Sequence, residues 1–258
     1  MKKLLFLLLV LTMSLASAIS FTDDFERADL TDNGWATFIE ASGGTNGIVN
    51  GELVISNGNS ESIGDNFAYI DLDQKLTSGA VTGVMNYNLG GAPSNAFYIG
   101  INAIADDIYN GGEGANYRTS GKGYGIIADF YINEFIILDQ TATDSRNAAQ
   151  ELASGPLSFN VDTDVNFELL YENDGSLVTR FWNVGSERPD TASFQYNPGK
   201  QPLATGTNLF FGITDEGTLK IDDLLVATSL FGNVPEPSAY ILFSIAAICV
   251  VGLKKNRK

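Results

Sequence analysis

The sequence predicts an all-β fold, a two-sheet antiparallel β-sandwich. Short runs rich in β-branched and aromatic residues recur at about ten-residue spacing, separated by Gly, Asn, Asp and Ser. Between residues 21 and 231 no helical period of useful length is found. No repeat of fixed length is visible, which excludes a propeller or a solenoid. The chain has 258 residues, enough to bury one large core.

The first 18 residues have the layout of a secretory signal peptide. Lys2 and Lys3 precede an apolar run that ends in Ala16-Ser17-Ala18. We therefore expect signal peptidase to cleave between Ala18 and Ile19, which leaves residues 19–231 as the exported β-sandwich. An uncleaved N-terminal membrane anchor is the alternative, but the apolar run is short for a span.

Strand-like segments follow one another along this domain, and one stretch could be helical. The strand-like segments are GELVIS, FAYIDLD, AVTGVMNYNL, NAFYIGINAI, GYGIIADFYI, VNFELLY, NLFFGITD and TLKIDDLLVA. Residues 144–155, DSRNAAQELASG, could form a turn or two of helix that the Gly155-Pro156 pair would end.

The most definite unit is a β-hairpin over residues 165–184. VNFELLY, residues 165–171, alternates apolar and polar side chains, and Asp174-Gly175 supplies a tight turn with positive φ. Phe181 and Trp182 are adjacent in the second strand, so they point to opposite faces of the sheet. One of these two aromatic side chains therefore belongs to the core.

Segments at both ends of the domain resemble concanavalin A-like, laminin-G-like jelly rolls. FTDDFERADLTDNGW and NGIVNGELVIS are similar to the opening strands of that group, and GTLKIDDLLVATS is similar to its closing strand. The resemblance implies that the first and last strands lie side by side, so that Asp24 approaches Asp222 or Asp223. Related folds often hold a structural calcium ion near this junction, which makes Asp24, Asp222 and Asp223 the candidate oxygen ligands. Alternatively, these acids face water at a sheet edge, where they discourage edge-to-edge pairing.

The irregular segment ADDIYNGGEGANYRTSGKGY, residues 105–124, carries most of the candidate ligand-binding residues. It combines acids with aromatic rings, and such side chains on the loops of a rigid sandwich suit sugar rings. Trp182, and with it Trp35, could offer a further aromatic platform. The ligand-binding candidates are Asp106, Asp107, Tyr109, Tyr117, Tyr124 and Trp182. The alternative is a solvated loop whose tyrosines cover the sheet edge.

Residues 232–258 form a tail in three parts. Pro235-Glu236-Pro237 is followed by an uncharged apolar segment, 239–253, and by a basic end, 254–258. Because proline disrupts a helix, a helix in this tail can begin only after Pro237. The apolar segment then has the length of a short membrane helix. The positive charge of the basic end keeps that end in the cytoplasm. The tail resembles the PEP-CTERM sorting signal. This resemblance implies processing near Pro235, Glu236 and Pro237 by an exosortase, and then a location at the cell surface or in the extracellular matrix. A simple C-terminal anchor without processing is the alternative.

The charge and the missing residue types exclude several classes of function. Residues 19–233 carry nine Lys and Arg against 30 Asp and Glu, a difference of −21, and the whole chain has a formal charge of −16. Such a surface repels nucleic acid and anionic lipid. The chain has no His, which removes Ser-His-Asp and Cys-His catalysis, and its single cysteine, Cys249, lies in the apolar tail.

We therefore expect an exported, non-catalytic surface or matrix protein that binds glycan, with extracellular polysaccharide as the partner. A structural coat protein without a ligand is one alternative, and a glycoside hydrolase on the same fold is another. A hydrolase needs two carboxylates across a cleft, and the Glu-x-Asp-x-Glu strand of the fold's glucanases is absent. Glu168 and Glu172 are separated by three residues, with Leu170 midway, and Asp129 and Glu134 are expected on opposite faces of one strand.

Overall fold

A computed structural model describes residues 20–39, 43–57, 65–90, 96–104, 124–139, 151–158, 160–197, 206–214 and 216–228. The predicted signal peptide and C-terminal tail lie outside these residues. The strands are β1 Ser20–Asp23, β2 Trp35–Ile39, β3 Thr45–Val49, β4 Glu52–Ser56, β5 Asp65–Asp71, β6 Gly79–Asn88, β7 Ala96–Ala103, β8 Tyr124–Asp129, β9 Glu134–Asp139, β10 Glu151–Pro156, β11 Val165–Tyr171, β12 Leu177–Asn183, β13 Phe194–Tyr196, β14 Asn208–Thr214 and β15 Thr218–Thr228. A 3-10 turn, Leu30–Asn33, is the helical element of the described residues.

The strands form two antiparallel sheets, which confirms the predicted sandwich. Sheet 1 has the order β13-β12-β11-β6-β15-β4-β3, and β1 also pairs with β15. Sheet 2 has the order β10-β9-β8-β7-β14-β5-β2. The pairing of β1 with β15 brings the first and last strands side by side, as the resemblance implied.

The hairpin of β11 and β12 forms as predicted. Its register runs from Tyr171 opposite Leu177 at the turn to Val165 opposite Asn183 at the far end. Gly175 has a φ of 85°, and the Asp174 side chain accepts a hydrogen bond from the Ser176 amide, so the Asp-Gly turn has the expected chemistry.

Two local expectations were wrong. Residues 151–156 form a strand where a helical turn was predicted, because Ala153, Ser154 and Gly155 pair with β9 and tertiary pairing overrides weak helix propensity. Asp129 and Glu134 do not share one strand. They face each other across the β8–β9 turn, where Asn133 adopts a φ of 59°.

The core lies between the sheets and is rich in aromatic side chains. Trp35 stacks on Phe211 of β14, and Phe181 of β12 stacks on Phe135 of β9. A second apolar cluster occupies the opposite face of sheet 2. Its buried members are Phe67, Ala96, Tyr98, Ala103, Ile127, Ile136 and Phe210. Sheet 2 is therefore apolar on both faces, which explains why its strands are apolar without alternation.

Candidate functional site

At the junction of β1 and β15 there is a surface cavity of about 350 Å³, which two of the three predicted metal residues line. Asp24 and Asp223 both line this cavity, one position beyond the pairing of Asp23 with Leu224. Asp222 is not among the lining residues. The cavity is lined by Thr22, Asp23, Asp24, Arg27, Asn33, Asp223, Leu224 and Leu225.

The acid that organises this junction is Asp23, which the sequence did not single out. Its side chain is 1% exposed and forms an ion pair with Arg27. The indole N–H of Trp35 donates to Asp23 Oδ2 over 2.8 Å, and the Asn33 amide donates to the same oxygen over 3.0 Å. Burial alone would raise the pKa of Asp23, but these hydrogen bonds outweigh it and hold the pKa below its usual value. Asp23 is therefore a structural anion that fixes the first loop.

The described residues do not complete a calcium site at this junction. Calcium takes six to eight oxygen ligands, whereas Asp23 is already neutralised by Arg27, which leaves Asp24 and Asp223 as the available carboxylates. Burial raises the pKa of Asp222, and the neighbouring carboxylates of Asp223, Glu52 and Glu26 raise it further. Across the described ranges, no group of three His, Cys, Asp or Glu side chains is placed to hold a metal ion. At the β8–β9 turn, Oδ2 of Asp129 is buried without a hydrogen-bond partner, but one oxygen atom does not make a metal site.

The structure separates the predicted ligand-binding residues that it describes. Tyr124 is 1% exposed, and its hydroxyl donates to the carbonyl of Gly175, so its ring is part of the core and not of a ligand surface. Trp35 is likewise buried. Asp106, Asp107, Tyr109 and Tyr117 lie outside the described residues.

Trp182 lies on the outer face of sheet 1, and Phe181 takes the core position. Phe181 pairs with Phe167 and stacks on Phe135, whereas Trp182 pairs with Asn166. Gly175, which Tyr124 contacts, lies in the turn before β12, and Trp182 lies near the other end of that strand. Tyr124 and Trp182 therefore belong to opposite ends of the sandwich and do not form one site.

A polar arrangement that the sequence analysis missed lies beside Trp182. Asn86 and Asn88 point to the outer face of β6 and donate to acids of the segment that precedes β11. The Asn86 amide donates to Asp164 Oδ1 over 2.8 Å, and the Asn88 amide donates to Asp162 Oδ1 over 2.6 Å. We call these four residues the Asn–Asp ladder. The signal for it was the Asn-Tyr-Asn alternation at the end of β6, which places two amides on one face.

The ladder offers hydrogen-bonding groups that face solvent. Asn88, Asp162 and Asp164 are exposed, and Asn86 is half-buried. Each carboxylate has acceptor capacity beyond the one amide that it binds, and each amide oxygen is a further acceptor. Amides and carboxylates in this arrangement can bind hydroxyl groups, which both donate and accept hydrogen bonds.

Glu168, a candidate acid of the hydrolase alternative, is held in an ion-pair network. Arg180 Nη1 donates to its Oε1 over 2.6 Å, and Arg188 contacts both carboxylate oxygens at 2.7 and 2.9 Å. Both oxygens of this carboxylate are therefore already bound by guanidinium groups.

Among the solved structures that this chain resembles in fold are lectin and carbohydrate recognition domains. The carbohydrate recognition domain of Emp47p matches with a TM-score of 0.58 and 12% identity, over 82% of this chain and 95% of that one. The exoplasmic/lumenal domain of VIP36, in a form bound to Ca2+ and Man2, matches with a TM-score of 0.58 and 12% identity, over 85% of this chain and 91% of that one. Lectin II from Ulex europaeus matches with a TM-score of 0.56 and 11% identity, over 82% of this chain and 99% of that one.

At such low identity the likeness establishes the fold, a lectin jelly roll, and not the binding residues. No protein-family model matches this sequence, and no curated protein matches it. Within the described parts of the chain, no helix is both long and apolar enough to cross a membrane.

Proposed function

We propose that this protein is a glycan-binding surface or matrix protein, and that the Asn–Asp ladder forms part of its binding site. The observation that carries the proposal is the match of 82–85% of this chain to lectin domains at TM-scores of 0.56–0.58. The Emp47p domain is named a carbohydrate recognition domain, the Ulex europaeus protein is named a lectin, and the VIP36 domain was solved with Man2.

The ladder has the chemistry that such a function needs. Sugar hydroxyls are bound in proteins by a few well-placed amides and carboxylates, often beside an aromatic ring. The ladder supplies the amides and carboxylates, and Trp182 lies close to it in the register of sheet 1. The negative charge of Asp162 and Asp164 favours neutral glycans over acidic ones.

A glycan array tests this proposal. The full chain, kept in a detergent without a sugar headgroup, is expected to bind a subset of neutral glycans. The Asp162→Ala/Asp164→Ala double variant should lose that binding while its near-UV circular dichroism is retained. Binding to no glycan on the array would contradict the proposal and favour the coat-protein alternative.

We also propose that the chain is exported and sorted through its two terminal segments. The support comes from the sequence: the Ala16-Ser17-Ala18 cleavage site and the Pro235-Glu236-Pro237, apolar and basic parts of the tail. The mature termini measured by mass spectrometry test it. We expect Ile19 as the first residue and a cut close to Pro235, Glu236 and Pro237. A mature chain that retains Lys258 would exclude processing of the tail and would favour the alternative, a simple membrane anchor.

A structural calcium ion stays a prediction. The VIP36 domain was solved in three Ca2+-bound forms and in a metal-free form. In this chain, however, Asp24 and Asp223 are only two of the several oxygen ligands that calcium needs. If calcium binds the folded state there, it raises the melting temperature by mass action, and Asp223→Asn removes the increase. A melting temperature unchanged between excess calcium and EDTA would exclude the ion.

A further inference from the structure

From the outer face of sheet 1 we infer that the ligand is an extended neutral polysaccharide, bound along its chain with Trp182 as the stacking platform. The inference rests on the proposed function and specifies its ligand. It starts from the register of three neighbouring strands. Val84 of β6 lies opposite Asn166 of β11, and Asn166 lies opposite Trp182 of β12, so the three side chains form one row on the outer face.

This row is continuous with the Asn–Asp ladder. Asn86 is two residues after Val84 and therefore on the same face, about 7 Å further along the strand. Asp164, its partner, precedes β11, and the Asp164 carbonyl accepts a hydrogen bond from the Val184 amide over 3.2 Å. The second row is therefore Asn86, Asp164 and Val184, and Val184 is 53% exposed.

Trp182 is not needed for the core. Phe181 already fills the core position at this point of β12. Within the described part of the chain, the indole ring of Trp182 makes no aromatic contact and its N–H makes no hydrogen bond. A half-buried Trp beside an exposed Val, rimmed by amides and carboxylates, is the composition of a binding surface.

The shape of this surface determines the kind of ligand. Trp182, Asn166 and Val84 are half-buried side chains in a row on the outer face of a sheet, so they can contact the side of a sugar chain and do not need a chain end. The row extends from Trp182 through Asn166 and Val84 to Asp222 of β15. Three strand spacings of about 4.8 Å make it roughly 14 Å long, the length of a short oligosaccharide.

The charge of the surface determines which polysaccharides it accepts. Asp162 and Asp164 border the row, and Asp222 lies at its end. Glu168, in the next row, already neutralises part of the charge of Arg180 and Arg188. A polymer of uronic acids would meet uncompensated carboxylates, so a neutral polymer is favoured.

Affinity electrophoresis of the full chain, in a detergent without a sugar headgroup, tests the inference. The gels contain galactomannan, xyloglucan or mixed-linkage β-glucan as neutral polymers and alginate as the acidic polymer. We expect retardation by at least one neutral polymer and none by alginate. Oligosaccharides of the retarding polymer should compete better as they lengthen, whereas its monosaccharides should not compete.

Three variants assign the effect to Trp182. Trp182→Ala should weaken binding at least about tenfold, as expected for the loss of a central aromatic contact. Trp182→Phe, which keeps a flat ring, should recover part of the affinity. Val178→Ala is the matched control, because Val178 is a half-buried residue on the same face of the same strand, four positions before Trp182. It should bind as the unchanged chain does.

The outcomes separate this inference from the proposed function. Glycan binding that depends on Asp162 and Asp164 but not on Trp182, or competition by a monosaccharide equal to that by its oligosaccharides, overturns the inference and leaves the function intact. The inference is also overturned if alginate retards the protein and the Trp182→Ala variant is retarded to the same extent. Absence of binding to every polymer and to the glycan array removes both.

Discussion

Phe135 of β9 and Phe181 of β12 stack with their ring planes 4° apart and their centroids 5.5 Å apart. The two strands belong to different sheets, so this pair connects the layers of the sandwich. Phe194 of β13 also stacks on Phe135, at 5.9 Å. Because Phe181 points inward to complete this stack, its neighbour Trp182 must point outward. The packing of the core thus places an aromatic ring on the outer face of sheet 1.

The two adjacent aromatic residues should differ in their effect on stability. Phe181→Ala is expected to lower the free energy of unfolding by about 2–4 kcal/mol, because it leaves a cavity beside Phe135. Trp182→Ala should cost less than about 1 kcal/mol, because its side chain lies outside the core. Urea unfolding followed by circular dichroism measures both. An equal loss in the two variants would show that Trp182 is a core residue.

Asp23 should be the acid whose removal destabilises the fold most among those of the β1 junction. Asp23→Asn keeps the size of the side chain but removes its charge, which leaves the Arg27 guanidinium without its partner. We expect a loss of about 2–3 kcal/mol in the free energy of unfolding, measured with urea. Asp24→Asn, at the exposed neighbouring position, is the control and should change stability by less than about 0.5 kcal/mol.

The contribution of Asp23 also predicts a dependence on pH. Its pKa is lower in the folded state than the ordinary value of 3.8, so the unfolded chain takes up the proton first as the pH falls. The stabilisation is complete above that value and is lost as the pH falls through the lowered pKa. The stability difference between the unchanged chain and Asp23→Asn should therefore shrink below about pH 4. A difference that stays constant down to pH 2 would contradict this assignment.

Asp222 should behave in the opposite way. Burial raises the pKa of Asp222 and the carboxylates of Asp223, Glu52 and Glu26 add to the increase, so its charged form opposes folding at neutral pH. Asp222→Asn should stabilise the protein by a few tenths of a kcal/mol at pH 7 and should not do so below the ordinary pKa of 3.8. The Asn side chain can still accept the 2.7 Å hydrogen bond from the Asp223 amide. Glu187→Gln, at an exposed position, controls for the change in net charge, and a matching gain in that variant would refute the local cause.

Gly100 should not tolerate a side chain. A Cβ at this position would lie 2.1 Å from the ring of Phe210, whose side chain crosses over Gly100 on the outer face of sheet 2. Gly100→Ala is expected to destabilise the protein by about 1–3 kcal/mol, because the ring must move within a packed cluster. The melting temperature measures the change, and Phe210→Leu in the same chain should recover part of it. Gly47→Ala is the control, since its Cβ would have no neighbour within 4 Å.

Local patterns predicted the parts of the fold that depend on the direction of side chains along one strand. The alternation in residues 165–171 and the Asp174-Gly175 turn predicted the hairpin, and it forms in that register. The same alternation showed that Phe181 and Trp182 face opposite ways. The similarity of the terminal segments to jelly rolls predicted that β1 lies beside the last strand.

Only the tertiary structure decided which faces are covered and which distant residues meet. Tyr124 belongs to the core, where its hydroxyl donates to the carbonyl of Gly175, 51 residues later. Asp23, and not Asp24, is the buried acid because Arg27, Asn33 and Trp35 converge on it. The Asn–Asp ladder joins residues 74 and 78 positions apart. A strand's own sequence fixes which side chains share a face, whereas the burial and partners of that face depend on strands paired from elsewhere in the chain.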